Sequence, residues 1–196
     1  MRAVIAGLLV AASTAAAQQK VFPTVDQQIT TAVLAMPEPF RADATVMGWK
    51  TATGKLEVLR QGKNGMICLA QFAVETRFHV SCYHEGLEPF MLRGRQLREQ
   101  GITVPEKVDS VRYKEVAEGK LKMPVSGALY QLIGPASAWD PATDKLGNVN
   151  TLFVMYIPGA TAASTGLTTV SSKDKPWLMF PGTPKAHIML QGTMQP

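Results

Sequence analysis

Cys68 and Cys82 are the only cysteines in the 196-residue chain, and each falls within a short apolar run, Met66 to Gln71 and Phe78 to Tyr83. If the two runs are neighbouring strands, the cysteines face one another across a hairpin or its flank. A bridge there closes a loop of 15 residues, which on the chain-entropy model stabilises a domain by about 3 kcal/mol. An even pair of cysteines reads as a disulfide in an oxidising compartment. The pairing and the strand assignment therefore support each other, provided that the chain is exported.

The N-terminus carries the signal for export. Met1-Arg2 is followed by the apolar stretch Ala3 to Ala12, then by Ser13-Thr14-Ala15-Ala16-Ala17, and then by the polar Gln18-Gln19-Lys20. A positive start, a short apolar helix for the translocon, and small residues at Ala15 and Ala17 for the peptidase make a secretory signal peptide over residues 1–17. The apolar run is shorter than the ~20 residues that span a bilayer. No second long apolar segment follows, and no cysteine stands beside the cleavage site to take a lipid. The expected mature chain, residues 18–196, is one domain without a membrane span, periplasmic or secreted.

Charge argues against nucleic acid as a partner. Loss of Arg2 leaves 19 basic against 15 acidic side chains, a net of +4. The densest basic stretch, Arg93 to Lys122, interleaves its cations with Glu99, Glu106, Asp109, Glu115 and Glu118. Mixed signs of this kind mark solvated helix faces rather than a basic stripe.

Hydrophobic spacing then places the elements. Thr24-Val25-Asp26-Gln27 has the form of a capping box, and Val25, Ile29, Ala32, Val33 and Met36 recur at helical spacing until Pro37 and Pro39. Apolar runs at 44–49, 55–60, 66–71 and 78–83, separated by short turn-rich links, predict an antiparallel meander. A helix is expected over 88–100, burying Phe90, Leu92 and Leu97 and stopping at Gly101. Another is expected over 105–119, opening on Pro105 and turning Val104, Val108, Val111, Tyr113 and Val116 inward. Runs at 128–133 and 151–157 pair as a long hairpin, and a last apolar run covers 186–190. The 16 glycines and 13 prolines punctuate these runs without a fixed repeat. The expected class is α+β: a mainly antiparallel sheet packed by two or three helices.

Several phrases together, Ala44-Thr45-Val46-Met47-Gly48-Trp49, Asn64-Gly65-Met66-Ile67-Cys68, Pro158-Gly159-Ala160-Thr161, Pro176-Trp177-Leu178-Met179 and Gly182-Thr183-Pro184-Lys185-Ala186-His187, resemble a group of small secreted bacterial hypothetical proteins. That resemblance implies export and a single domain, and brings no activity or site residue.

Chemistry-bearing residues are few. His187, at the start of an apolar run and just after a Gly- and Pro-bounded segment, is a candidate base or ligand, against the plainer role of bonding a loop carbonyl. Trp177, Thr183 and His187 are the binding candidates of this segment. His79 and His84 bracket Cys82, but in a strand Cys82 and His84 share a face that His79 does not. Neither CxxC nor HxxxH occurs, so no metal site and no cofactor is expected. Nucleophile motifs are missing too, and Thr161 to Ser172 reads as a hydroxyl-rich surface loop. The ten methionines read as core filler rather than copper ligands. The leading expectation is a non-enzymatic domain that binds a small molecule or an envelope protein. The alternative is a hydrolase or metal-dependent enzyme using His187 with His84 and Glu85.

Overall fold

The computed structural model describes residues 22–71 and 76–193. The signal peptide expected over residues 1–17 lies outside them. Thr24 caps helix α1 (Val25–Val33): its hydroxyl accepts from Gln27 N while the Gln27 side chain accepts from Thr24 N, the reciprocal bonding its sequence implies. A one-turn helix α2 (Glu38–Arg41) follows, with Pro39 in its first turn, where a missing N–H costs nothing. The strands β1 (Thr45–Gly48), β2 (Glu57–Arg60), β3 (Met66–Leu69) and β4 (Arg77–His84) lead into helices α3 (Glu88–Glu99) and α4 (Pro105–Ala117). Then come β5 (Gly127–Pro135), the two-residue strands β6 (Trp139–Asp140) and β7 (Lys145–Leu146), β8 (Asn150–Tyr156), the short helix α5 (Ala162–Thr165), β9 (Trp177–Met179) and β10 (His187–Thr193). Among the described residues no helix is long and apolar enough to cross a membrane.

Eight strands form one sheet in the order β2-β1-β3-β4-β5-β8-β10-β9, and β6 and β7 pair as a separate hairpin. The sheet is antiparallel throughout except where β1 and β3 run parallel, which corrects the simple meander expected from the short connections. The chain reaches β3 by stepping over the start of β1. Gly62 N donates to the Thr45 hydroxyl, Lys63 N donates to Asp43 O, and a Cβ on Gly62 would lie 2.3 Å from the backbone of residues 43–45. Only a residue without a side chain fits that crossing. The long β5–β8 hairpin forms as expected, with Gly127 opposite Tyr156 and Ile133 opposite Asn150.

Both faces of the sheet are covered. On one, Val46, Cys68, Phe78, Val80, Cys82 and Leu132 pack under α1 with Ala32, Val33 and Met36. Buried Gln28 ties that helix to the end of β1, donating to Trp49 O and accepting from Trp49 N. Cys68 and Cys82 stand directly opposite in the β3–β4 register and are bonded to each other, fully buried in this core. On the other face, Tyr83, Leu87, Leu129, Val154 and Tyr156 form a second cluster with Met91 and Met189.

Helix phase decides what α3 and α4 bury. In α3 the buried positions are Phe90, Gly94 and Leu97, spaced four and three apart, so Leu92 falls off the stripe and is 41% exposed. In α4 the buried stripe is Val108, Asp109 and Arg112, while Val104 precedes the helix and is exposed. The inward face expected to hold valines and Tyr113 thus carries an ion pair.

Candidate functional site

The segment 180–186 joins β9 to β10 as a tightly bonded turn. Thr183 N and its hydroxyl both donate to Phe180 O, Ala186 N donates to Thr183 O, and Gly159 N also donates to Thr183 O at 2.9 Å. Gly182 N donates to Ala160 O at 2.7 Å, so the turn is locked to the 157–160 turn after β8. Gly182 sits at φ +74°, a conformation free to glycine, but Phe180 also has positive φ, +52°. For a bulky L-residue that conformation is strained. The same residue is 38% exposed.

Around Phe180 stand two further groups. The Lys185 ammonium lies 4.4 Å from the centroid of its ring, and the His187 ring lies 5.6 Å away, with Tyr156 5.0 Å from His187 on the other side. His187 opens β10, opposite Tyr156 and Met179. Its Nδ1 is 2.7 Å from Lys185 O. A carbonyl only accepts, so Nδ1 carries the proton and Nε2 is left as an acceptor. Burial lowers the pKa of His187 below the ordinary 6.5, keeping the imidazole neutral at neutral pH. The Tyr156 hydroxyl, with its pKa pushed up to about 12 by burial, stays protonated. Neither the Tyr156 hydroxyl nor His187 Nε2 has a hydrogen-bond partner among the described residues. The enclosed polar side-chain atom that lacks one is Arg112 Nε, so these two tips sit where water reaches them.

Helix α4 supplies the charges beneath. Asp109 accepts from Lys185 Nζ at 2.8 Å and from Arg112. Burial alone would raise its pKa, but those two donors win and hold it below the usual carboxylate range. Arg112 lies with its guanidinium 3.8 Å above the Phe90 ring and donates to Phe90 O. Tyr113, one position further along α4, has its hydroxyl beside that of Thr183. Gly94 makes room for this: a Cβ there would meet Arg112 at 3.0 Å and Arg98 at 3.3 Å. A mid-helix glycine costs about 1 kcal/mol of helix propensity, and the close approach of two guanidinium groups is its reason.

The three binding candidates lie in this region, with different roles. Thr183 and His187 belong to the site. Trp177 is on the same sheet face, opposite Met189, but is buried in the core. His84 and Glu85 lie elsewhere. His84 Nδ1 accepts from Gly86 N at the end of β4, while Glu85, with Thr45, Gln61, Gly62, Lys63 and Gly65, lines a separate cleft of about 230 Å³. His84 faces the α1 side with Cys82, and His187 faces the opposite side with Tyr83 and Tyr156. Three strand-to-strand steps separate them, roughly 14 Å at ~4.8 Å each. The structure therefore does not bring His187 together with His84 and Glu85. His79 is at a third place, with Nε2 3.0 Å from Gln131 Nε2. Among the described residues no three His, Cys, Asp or Glu side chains cluster to hold a metal.

Asp109, Arg112, Tyr156, Phe180 and Lys185 were not singled out by sequence reasoning. One signal was available: Asp109 and Arg112 are spaced three apart in phase with Val108, on the stripe a helix buries. Nothing local marks Phe180, because its conformation is set by the turn that follows it. No family model, curated protein or solved structure matches the chain.

Proposed function

We propose that this is an exported, non-enzymatic binding domain, and that its ligand, a small molecule or an envelope partner, is met by Phe180, Thr183, Lys185 and His187, with the Tyr156 hydroxyl at the edge. The observation that carries the reading is Phe180, a strained and exposed aromatic between an ammonium group and a neutral imidazole. Backbone strain in a folded domain persists where the surrounding structure enforces it, and it concentrates at ligand clamps. Here the turn 180–186 enforces it. The neighbouring groups are varied: a flat apolar ring, a cation, a hydroxyl donor and an imidazole acceptor. Such a set orients a ligand.

The non-enzymatic part of the reading rests on what surrounds His187. Its Nδ1 is bonded to a backbone carbonyl rather than a carboxylate, and among the described residues no serine or threonine hydroxyl bonds its Nε2. Both cysteines are consumed in the bridge. Export rests on the sequence of residues 1–17, and the buried disulfide accords with it.

The test is an NMR titration of the mature protein with small aromatic and amphipathic fragments. Saturable shifts of the Phe180 and His187 ring signals, abolished in Phe180→Ala, are expected. Shifts that map to another face would remove this site, and a saturable hydrolytic turnover lost in His187→Ala would replace binding with catalysis.

A further inference from the structure

The binding reading leaves the chemistry of the ligand open, and the charges under the turn narrow it. Arg112 and Lys185 both bond one carboxylate, Asp109, and Arg98 stands beside Arg112 with its Nη1 donating to Gly94 O. Gly94 brings the two guanidinium groups against the same backbone position, where a Cβ would lie 3.0 Å from one and 3.3 Å from the other. Like charges held together in a partly buried place repel, and Asp109 can neutralise only one of the three. Of the other acids of these helices, Glu88 pairs with Arg95 and Glu115 with Arg93, while Glu99 and Glu106 point to solvent as exposed residues.

A second observation points the same way. Arg112 is 5% exposed, and its Nε–H is enclosed with no acceptor, although NH1 and NH2 are bonded to Phe90 O and Asp109. Buried donors in folded proteins are paired almost without exception, and an orphan marks a missing acceptor. Excess positive charge and a missing acceptor are both answered by one group. Lys185, the most exposed member of the bonded trio, stands outermost, between that group and solvent.

We propose that the ligand carries an oxyanion, received by Lys185 and the exposed Arg98 and by the buried Arg112 beneath them, with its uncharged body against Phe180. This rests on the binding reading above. A carboxylate and a phosphoryl group share this chemistry, and guanidinium forks suit both.

The experiment is a titration of the ¹⁵N-labelled, disulfide-bonded mature protein with sodium acetate, with inorganic phosphate, and with sodium chloride at matched ionic strength, following the arginine Nε–Hε signals. A saturable shift of the Arg112 signal with acetate or phosphate beyond that with chloride is expected, and the tighter of the two identifies a carboxylate or a phosphoryl ligand. Lys185→Met should weaken the effect at least tenfold, with Arg98→Gln as the second variant should the first unfold. An unmoved Arg112 signal, or one moved equally by chloride, overturns the proposal. A parallel titration with phenol separates the two readings: ring shifts at Phe180 and His187 without an anion effect remove the oxyanion and keep the binding surface, and silence in both titrations removes both.

Discussion

The Lys185 ammonium lies 4.4 Å above the ring of Phe180 while its other contact, Asp109 Oδ2 at 2.8 Å, reaches back to α4. One side chain thereby links a strained surface aromatic to the buried ion pair of a helix 76 residues earlier in the chain. The turn 180–186 and helix α4 are held as a unit, and changes at Phe180, Lys185 or Asp109 are expected to be coupled rather than additive.

Phe180→Gly separates stability from binding. Glycine adopts positive φ freely, recovering roughly 1–2 kcal/mol, and the lost exposed cation–π contact offsets about 0.5–1 kcal/mol of that. Urea denaturation should place the variant within about 1 kcal/mol of the parent, while fragment binding at the turn is lost. A loss of stability above ~2 kcal/mol would instead make the ring a packing element.

Burial lowers the pKa of both His187 and His79, so the unfolded chain binds protons that the folded chain refuses. Stability is therefore full above the unfolded value of 6.5 and falls as pH drops through it towards the folded values. The slope is about 1.4 kcal/mol per pH unit for each such proton. Asp109 acts in a different window: its depressed pKa stabilises the fold above 3.8 and is lost only in stronger acid. Denaturation between pH 7 and 5 should show the histidine slope, and His187→Asn, which can still donate to Lys185 O, should flatten it. An unchanged slope would place the protonation elsewhere.

The disulfide predicts a mass and a free energy. Intact protein from an exporting host should begin at Gln18 and carry the two-hydrogen deficit of the Cys68–Cys82 bridge. The double variant Cys68→Ala, Cys82→Ala should lose about 3 kcal/mol. Retained residues 1–17 would refute export.

Gly62→Ala should destabilise by about 3 kcal/mol, because a Cβ 2.3 Å from the backbone of Asp43, Ala44 and Thr45 forces a backbone shift at the crossing between β2 and β3. Gly101→Ala is the control: nothing lies within 4 Å there, so only the cost of positive φ is paid. Equal effects in thermal melts would show that the crossing is loose.

Local signals were legible wherever a few neighbouring residues settle the outcome. The Thr24 capping box, Pro105 opening α4, Gly101 ending α3 and strands within the apolar runs all appear in the structure at or near the expected positions. Where the outcome depends on distant chain, the sequence was silent or misleading. β9 is too short to show a pattern and exists because β10 offers it an edge. Leu92 was apolar enough to expect inside, yet the phase set by Phe90 and Leu97 turned it out.

The α+β class, the helices at 25–33, 88–99 and 105–117 and the Cys68–Cys82 pair were determined by the sequence itself, because periodicity, caps and cysteine placement act over a few residues or one hairpin. The parallel β1–β3 pair, the Phe180 conformation and the meeting of Asp109, Arg112 and Lys185 were decided only by the tertiary structure. A strand's order in a sheet and a cation's partner depend on which surfaces arrive side by side, and residues 76 positions apart carry no mark of each other until the sheet and α4 close over them.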